Sequence, residues 1–444
     1  MTRQQPTLSI RMDNRILSTS DTSERYMLLE VESPAIQIER EDRLPLNLAI
    51  VLDASGSMGG GRLRAAKVAV HQLIDALDEN DTLSLISFAE GVIAHALPVR
   101  LETDGRRTLH LAVDQVRTRG STNLFAGWYN GARVAAEAME REGRMRNRVL
   151  LLSDGMANRG VRSLRVIKEH AEAVCLRGLL TSTIGIGAGY SPRYLQALAL
   201  AGGGSMHDTD TGEDLIDVLL GELDDARQAV AENAEIQVVL PTGVEATVLS
   251  TGDEHAVGGT LRIRLGTLFE RSVRRVAVRL CTPVGQRGET LKLSARLLWN
   301  EPGCAQQQHA SEVVSETLSY ATESALPPEI TDLNVASVVA RLWNAWAIRS
   351  ATTLNEQRDF EAAAEFLDLE MTRFECYVRD LPHGKRFLRE LRSLRSRIQR
   401  RLDPAVLKGL ATGSYKELHG KADMRRDVGP DDWKFDLIGD DDRS

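Results

Sequence analysis

Cysteine is scarce and unpatterned in this chain: Cys175, Cys281, Cys304 and Cys376 are the only four in 444 residues. No CxxC spacing occurs, so neither a zinc ribbon nor a disulfide framework is indicated, and a reducing compartment is expected. The longest apolar stretches fall far short of the roughly 18 to 20 residues that cross a bilayer. The opening Met1-Thr2-Arg3-Gln4-Gln5-Pro6 has neither the apolar run nor the cleavage site of a signal peptide. A cytoplasmic protein without a membrane role is the expectation. An excess of basic charge is also missing: 55 Lys and Arg stand against 63 Asp and Glu, a net charge of −8, which argues against a chain wrapped in nucleic acid.

Familiar catalytic and nucleotide-binding motifs are absent too. The nine histidines form no HExxH pair, and no serine sits in a GxSxG elbow, so a hydrolase has no nucleophile–base pair to stand on. Gly59-Gly60-Gly61-Arg62 lacks the Gly-Lys-Ser/Thr ending of a phosphate loop. Gly185-Ile186-Gly187-Ala188-Gly189 lacks the full GxGxxG register of a dinucleotide site.

Length and composition describe soluble globular material in two or three domains, with 42% hydrophobic and 27% charged residues. Residues 1–45 read as two strands, Thr7–Met12 and Arg25–Val31. Residues 46–230 then alternate strand and helix. Leu46–Leu52 is apolar except for Asn47, as a strand covered on both faces requires, and Leu63, Ala66, Val70, Leu73 and Leu77 follow at helical spacing. Further strands are predicted at Thr82–Phe88, Val92–Leu97, Arg148–Leu152, Leu180–Ile186 and Ser205–His207. Helices are predicted at Thr108–Val116, Phe125–Arg141, Ser163–Leu176, Pro192–Ala199 and Glu213–Val230. Such alternation predicts a doubly wound, mainly parallel sheet with ligands at the carboxyl ends of its strands.

Residues 231–326 change to short alternating strands, an antiparallel β-sandwich. The two N-terminal strands cannot stand alone and are expected to pair with it, so the α/β domain is predicted as an insertion. Residues 327–404 are helical, with stripes at Val335, Val339, Leu342 and Trp346 and at Phe360, Ala364, Leu367, Met371, Phe374 and Val378, the pattern of a helical hairpin. A third, strongly basic helix spans 385–402. Trp343 and Trp346 read as packing residues. Residues 405–444, ending in Asp440-Asp441-Asp442, read as an acidic flexible tail.

Chemistry concentrates at three strand ends. Asp53-Ala54-Ser55-Gly56-Ser57 follows the first α/β strand, Thr122 stands in Gly120-Ser121-Thr122-Asn123, and Asp154 in Ser153-Asp154-Gly155. Hard oxygen donors mixed with waters suit Mg²⁺ and its neighbours better than soft metals. The bland reading of Asp-x-Ser-x-Ser alone is a turn and helix cap. With Thr122 and Asp154 in order, the pattern resembles the metal ion-dependent adhesion site of von Willebrand factor type A domains, over about 185 residues.

That resemblance implies metal ligation by Ser55, Ser57 and Thr122 through hydroxyls, and by Asp53 and Asp154 directly or through waters. The cation is expected to be Mg²⁺, with Mn²⁺ or Ca²⁺ as alternatives. It further implies a non-enzymatic scaffold whose protein partner supplies an Asp or Glu to the metal. The expected setting is a bacterial multi-protein stress or defence system beside a MoxR-type AAA+ ATPase. Two alternatives stand beside it: a nucleic-acid-associated factor using the basic helix 385–402, and a Mg²⁺-dependent phosphate-processing enzyme.

Overall fold

The computed structural model describes residues 5–35, 43–154, 158–187, 192–209, 212–250, 254–326 and 328–418. The chain opens with β1 (Thr7–Met12), β2 (Ile16–Ser18) and β3 (Ser23–Glu32). It then enters an α/β unit whose sheet has the order β6-β5-β4-β7-β8-β9. The strands are β4 (Leu46–Asp53), β5 (Thr82–Phe88), β6 (Val92–Arg100), β7 (Arg146–Ser153), β8 (Leu179–Ile186) and β9 (Gly203–Thr209). All pairings are parallel except that of β5 with the edge strand β6.

The apolar run of β4 is explained by burial on both faces. Leu46, Leu48, Ile50 and Leu52 face a core built with α1 (Arg62–Ala76), α2 (Thr103–Gln115) and α6 (Gly212–Gln228). Ala49 and Val51 face the opposite core, with α3 (Leu124–Glu142), α4 (Leu164–Cys175) and α5 (Pro192–Ala201). Helix α3 lies unusually close to the sheet. A Cβ on Gly127 would collide with the Phe88 ring and one on Gly131 with the Val51 side chain, so only glycine permits this approach. The approach matters because α3 begins at the candidate site.

The β-sandwich comprises β10 (Ala229–Val239), β11 (Glu245–Val248), β12 (Glu254–Val257), β13 (Thr260–Phe269), β14 (Val273–Thr282), β15 (Thr290–Glu301), β16 (Cys304–Ala310) and β17 (Val314–Ala321). The two N-terminal strands pair with the later ones as expected, β3 aligning antiparallel with β14 from Ser23↔Thr282 to Glu32↔Val273. The α/β unit is therefore an insertion in a discontinuous β-domain. The sheets are β1-β3-β14-β11 and β12-β13-β10-β15-β17-β2, with β16 beside β15.

Several elements differ from the sequence-based expectation. Strands β2, β11, β12 and β16 were not predicted: three have only three or four residues, and β16, Cys-Ala-Gln-Gln-Gln-His-Ala, is a largely exposed edge strand without apolar alternation. The pairing of β2 with β17 is parallel. Helix α6 stops at Gln228 rather than Val230, because β10 starts at Ala229 and is hydrogen-bonded on both sides, to β13 and β15.

The sheet containing β3 is covered on both faces. Met27, Leu29 and Val31 enter the sandwich core, whereas Tyr26 and Leu28 pack with Ala277 against α7 (Leu333–Glu356), α8 (Phe360–Val378) and α9 (Gly384–Ile398). The basic α9 docks on acidic positions of α8: Arg395 Nε and Nη2 each donate to an Asp368 oxygen at 2.7 Å, and Arg392 Nη2 to Glu375 Oε1 at 2.8 Å. Its apolar line, Leu391, Leu394 and Ile398, is buried. The expected tail beginning at 405 is corrected over its first part, where α10 (Pro404–Leu418) forms and buries Leu410, Ala411, Tyr415 and Leu418. Its apolar stripe is short and completed by small residues, which hides it from a composition reading. The acidic run Asp440–Asp442 lies outside the described residues.

Asp13 ties β1 to the start of α7. Its backbone carbonyl accepts from the amides of Thr331 and Asp332, both at 2.9 Å, and its Oδ1 accepts from the amides of Asn14 (2.7 Å) and Tyr26 (2.9 Å). Burial pushes the Asp13 carboxyl up to about 7, against the Tyr26 amide, the Arg25 charge and the Asn14 amide. A carboxyl raised in the folded state binds more protons there than in the unfolded chain, so its contribution is present below the ordinary value of 3.8 and is lost as pH rises through about 7. Asp13→Asn keeps the amide acceptor and cannot ionise. Its melting temperature relative to wild type should therefore climb from pH 5 to pH 8, by an amount reflecting on the order of 2–4 kcal/mol. A constant difference across that range would refute the assignment.

Candidate metal centre

Three loops meet at the carboxyl ends of the central strands. The first leaves β4 at Asp53, which is fully buried, and turns through a 3-10 segment, Gly56–Met58. Asp53 Oδ1 accepts from the Ser55 amide at 2.8 Å, which bends the chain back and brings the Ser55 and Ser57 hydroxyls to 2.9 Å of each other. The second loop is stitched alongside the first: Arg119 N donates to Ala54 O at 2.6 Å and Gly56 N to Gly120 O at 3.0 Å. It delivers Thr122, 1% exposed, immediately before Asn123, whose side chain caps α3 by accepting from Ala126 N at 3.2 Å. The Thr122 carbonyl accepts from the amides of Asn158 (3.1 Å) and Arg159 (3.0 Å), which binds the second loop to the third.

The third loop leaves β7 at Ser153, whose hydroxyl donates to Asp53 Oδ2 at 2.5 Å. Asp154 follows, 3% exposed, and its Oδ1 has no hydrogen-bond partner among the described residues. Its Oδ2 is reached by Arg62 Nη1 at 3.4 Å, and the same nitrogen donates to the Ser57 carbonyl at 3.0 Å. All five residues singled out in the sequence thus stand on three loops fastened to one another. Two contributors were missed, Ser153 and Arg62. The signals available were a hydroxyl at the very end of a strand beside an acid, and a cation at the first position of the following helix.

The electrostatics are those of a cleft short of positive charge. Burial pushes the Asp53 carboxyl up to about 6; hydrogen bonds from Ser153 and Ser55 oppose this, and the Asp154 charge adds to it. An ionised carboxylate buried with an unsatisfied oxygen is costly unless a cation reaches it. Two carboxylates with three hydroxyl groups form an all-oxygen, hard donor set suited to a divalent cation of the Mg²⁺ class. Among the described residues, no three His, Cys, Asp or Glu side chains gather as a metal site. A centre here would therefore rest on hydroxyls as much as on carboxylates.

The family model of the von Willebrand factor type A domain matches residues 47–218. The uncharacterized protein sll0103 of Synechocystis sp. is 25% identical over 368 residues, spanning 80% of this chain and 84% of that protein. Inter-alpha-trypsin inhibitor heavy chain H3 of Mesocricetus auratus is 26% identical over 232 residues, covering 49% of this chain but only 26% of that protein. Among solved structures, a von Willebrand factor type A protein from Catenulispora acidiphila superposes over 93% of this chain and 98% of its own, with a TM-score of 0.66 at 16% identity, which establishes a shared fold across all three parts.

Proposed function

Residues 47–218 are a von Willebrand factor type A domain, and on that premise we propose that the chain is a non-enzymatic, Mg²⁺-dependent protein-binding scaffold. Ser55, Ser57 and Thr122 offer hydroxyl oxygens to the cation, and Asp53 and Asp154 offer carboxylates, directly or through water. When bound, the cation supplies an electrophilic position that an Asp or Glu of a partner completes. The observation carrying this reading is the buried Asp154 Oδ1, without a donor among the described residues, together with the paired Ser55 and Ser57 hydroxyls.

The chain's own residues divide the labour. Ser153 and the Ser55 amide fix the two oxygens of Asp53, the Asn123 cap fixes Thr122, and Arg62 holds Asp154 and the Ser57 carbonyl together. A MoxR-type ATPase is the partner class to test first. Among the described residues no helix is long and apolar enough to cross a membrane. Phosphate contact by the basic helix is the weaker reading, because Arg392 and Arg395 are engaged by α8.

The test is affinity capture from native lysate, in Mg²⁺ and in EDTA, with wild type and Asp53→Ala/Ser55→Ala as baits. The expected result is a partner set retained by wild type in Mg²⁺ and lost under either change. An identical set in all conditions would overturn the metal-gated reading and move the working surface to the sandwich or helices.

A further inference from the structure

At the end of the α/β sheet opposite the metal centre, a cavity of about 470 Å³ opens where α4, α5 and β9 meet the sandwich strands β10, β13 and β15 and helix α10. Its volume falls in the range of small-molecule sites. Four arginines line it, Arg262, Arg264, Arg274 and Arg296, with Glu172 and Glu235 the only acids on its walls among the described residues. Arg264 is matched by Glu172, and Arg262 lies 3.9 Å from Glu235. Among the described residues Arg296 meets only a neutral partner, Gln237 Oε1, at 3.1 and 2.9 Å.

Arg274 has less still. It is 9% exposed, and its guanidinium makes no hydrogen bond or ion pair with the described residues. Burial holds its pKa below the ordinary arginine value, opposed by the charge of Asp225, which is not on the cavity wall; Tyr415, whose own pKa burial raises, is a neutral phenol beside it. A guanidinium cannot shed its charge as a lysine does, so burying it without a partner is unfavourable unless an anion arrives. The remaining wall combines an apolar part, including Leu265, Phe269 and Leu298, with neutral polar side chains such as Asn233 and Asn300.

We propose that this cavity is a binding site for a small organic oxyanion, a phosphate or carboxylate with an apolar body, whose charged group is held by Arg274 and Arg296. Guanidinium forks suit planar and tetrahedral oxyanions alike, through paired N–H donors. Leu265, Phe269 and Leu298 receive the uncharged part, and Tyr415 brings α10 to the ligand. The ligand would thereby touch the α/β unit, the sandwich and the helical region at once. The site is independent of the metal centre and needs no cation.

Calorimetry and thermal shift on the full chain test it, with inorganic phosphate, adenosine 5′-monophosphate, succinate and uncharged adenosine as probes, in EDTA. Wild type is expected to bind at least one oxyanion saturably and adenosine not at all. Phosphate and adenosine 5′-monophosphate against succinate separate the two anion classes. Arg274→Met should weaken that binding at least tenfold while leaving the ligand-free melting temperature at or above wild type, because a buried charge without a hydrogen-bonded partner has been removed. Arg296→Gln, a change at a less buried residue, should also weaken binding. Absence of binding by all three oxyanions would overturn the site. So would binding indifferent to both variants, or a lower ligand-free melting temperature for Arg274→Met, which marks a structural arginine.

Discussion

Titrating MgCl₂ into the wild-type chain should give a saturable heat and a rise in melting temperature, and Asp53→Asn should abolish both. The asparagine is chosen because its Oδ1 can still accept the Ser55 amide bond that shapes the loop (2.8 Å to Asp53 Oδ1), and its amide lies where Ser153 now donates to Oδ2. What it removes is charge. Replacing one of the two carboxylates takes away half the negative charge of the donor set, and a loss of about 100-fold or more in cation affinity is expected, since changes to groups that merely orient ligands already cost about 10–100-fold. A cation at about 100 times its dissociation constant stabilises the folded state by about 2.7 kcal/mol. The cation-dependent melting shift should disappear accordingly.

The cation-free proteins should rank the other way. Burial pushes the Asp53 carboxyl up to about 6, so ionising it near neutral pH works against the folded state. Asp53→Asn escapes that cost and should melt at or above wild type in EDTA. Magnesium binding by Asp53→Asn with wild-type affinity would show that the hydroxyl cluster and Asp154 do not depend on this carboxylate.

The readable parts of the chain were those whose side chains face two cores or gather at the strand ends of the candidate site. The run Leu46–Leu52 identifies a central strand because both sheet faces are covered, and the alternation of Arg25–Val31 announces a strand whose second face, Tyr26 and Leu28, turned out to be covered by helices. The candidate site was legible because its five residues lie in short motifs at strand ends, where doubly wound sheets place ligands.

What escaped notice has physical reasons. Strand β16 is exposed and polar, and is specified by pairing with β15 rather than by burial. Helix α10 docks through Tyr415, whose hydroxyl accepts from Met206 N at 3.3 Å, and so depends on a partner more than 200 positions away. Ser153 and Arg62 act through geometry between loops, which spacing along one chain does not display. The buried Arg274 likewise reads as one more charged residue in a strand, Val-Arg-Arg-Val, until its burial is seen.

Glu370→Ala should cause the largest loss of stability of any single substitution considered, about 3–5 kcal/mol, by stranding a charge between the sandwich and the helices. Glu370 is 2% exposed on α8. It accepts from Arg279 Nη1 at 2.9 and 3.2 Å, from Arg279 Nη2 at 3.2 Å and from Trp343 Nε1 at 2.7 Å. The Arg279 side chain is 7% exposed, and its guanidinium lies 5.6 Å from the Trp343 ring centre, within a cluster containing Tyr26 and Phe374. With the carboxylate gone, its remaining compensation is the cation–π contact, worth about 2 kcal/mol at best, and the charge of Glu24, and the Trp343 N–H is left unpaired.

The double replacement Arg279→Met/Glu370→Leu separates a buried charge from a lost contact. If desolvation is the cause, the apolar pair should recover most of the loss, because exchanging a buried ion pair for packed apolar groups is often neutral or better. If packing geometry is the cause, the double variant should be no better than Glu370→Ala. Urea denaturation followed by tryptophan fluorescence reports directly, since Trp343 sits in the cluster. Mg²⁺ affinity should stay at the wild-type value in both variants, because the pair belongs to the sheet and helices built around β3 and not to the strand ends that carry Asp53 and Asp154.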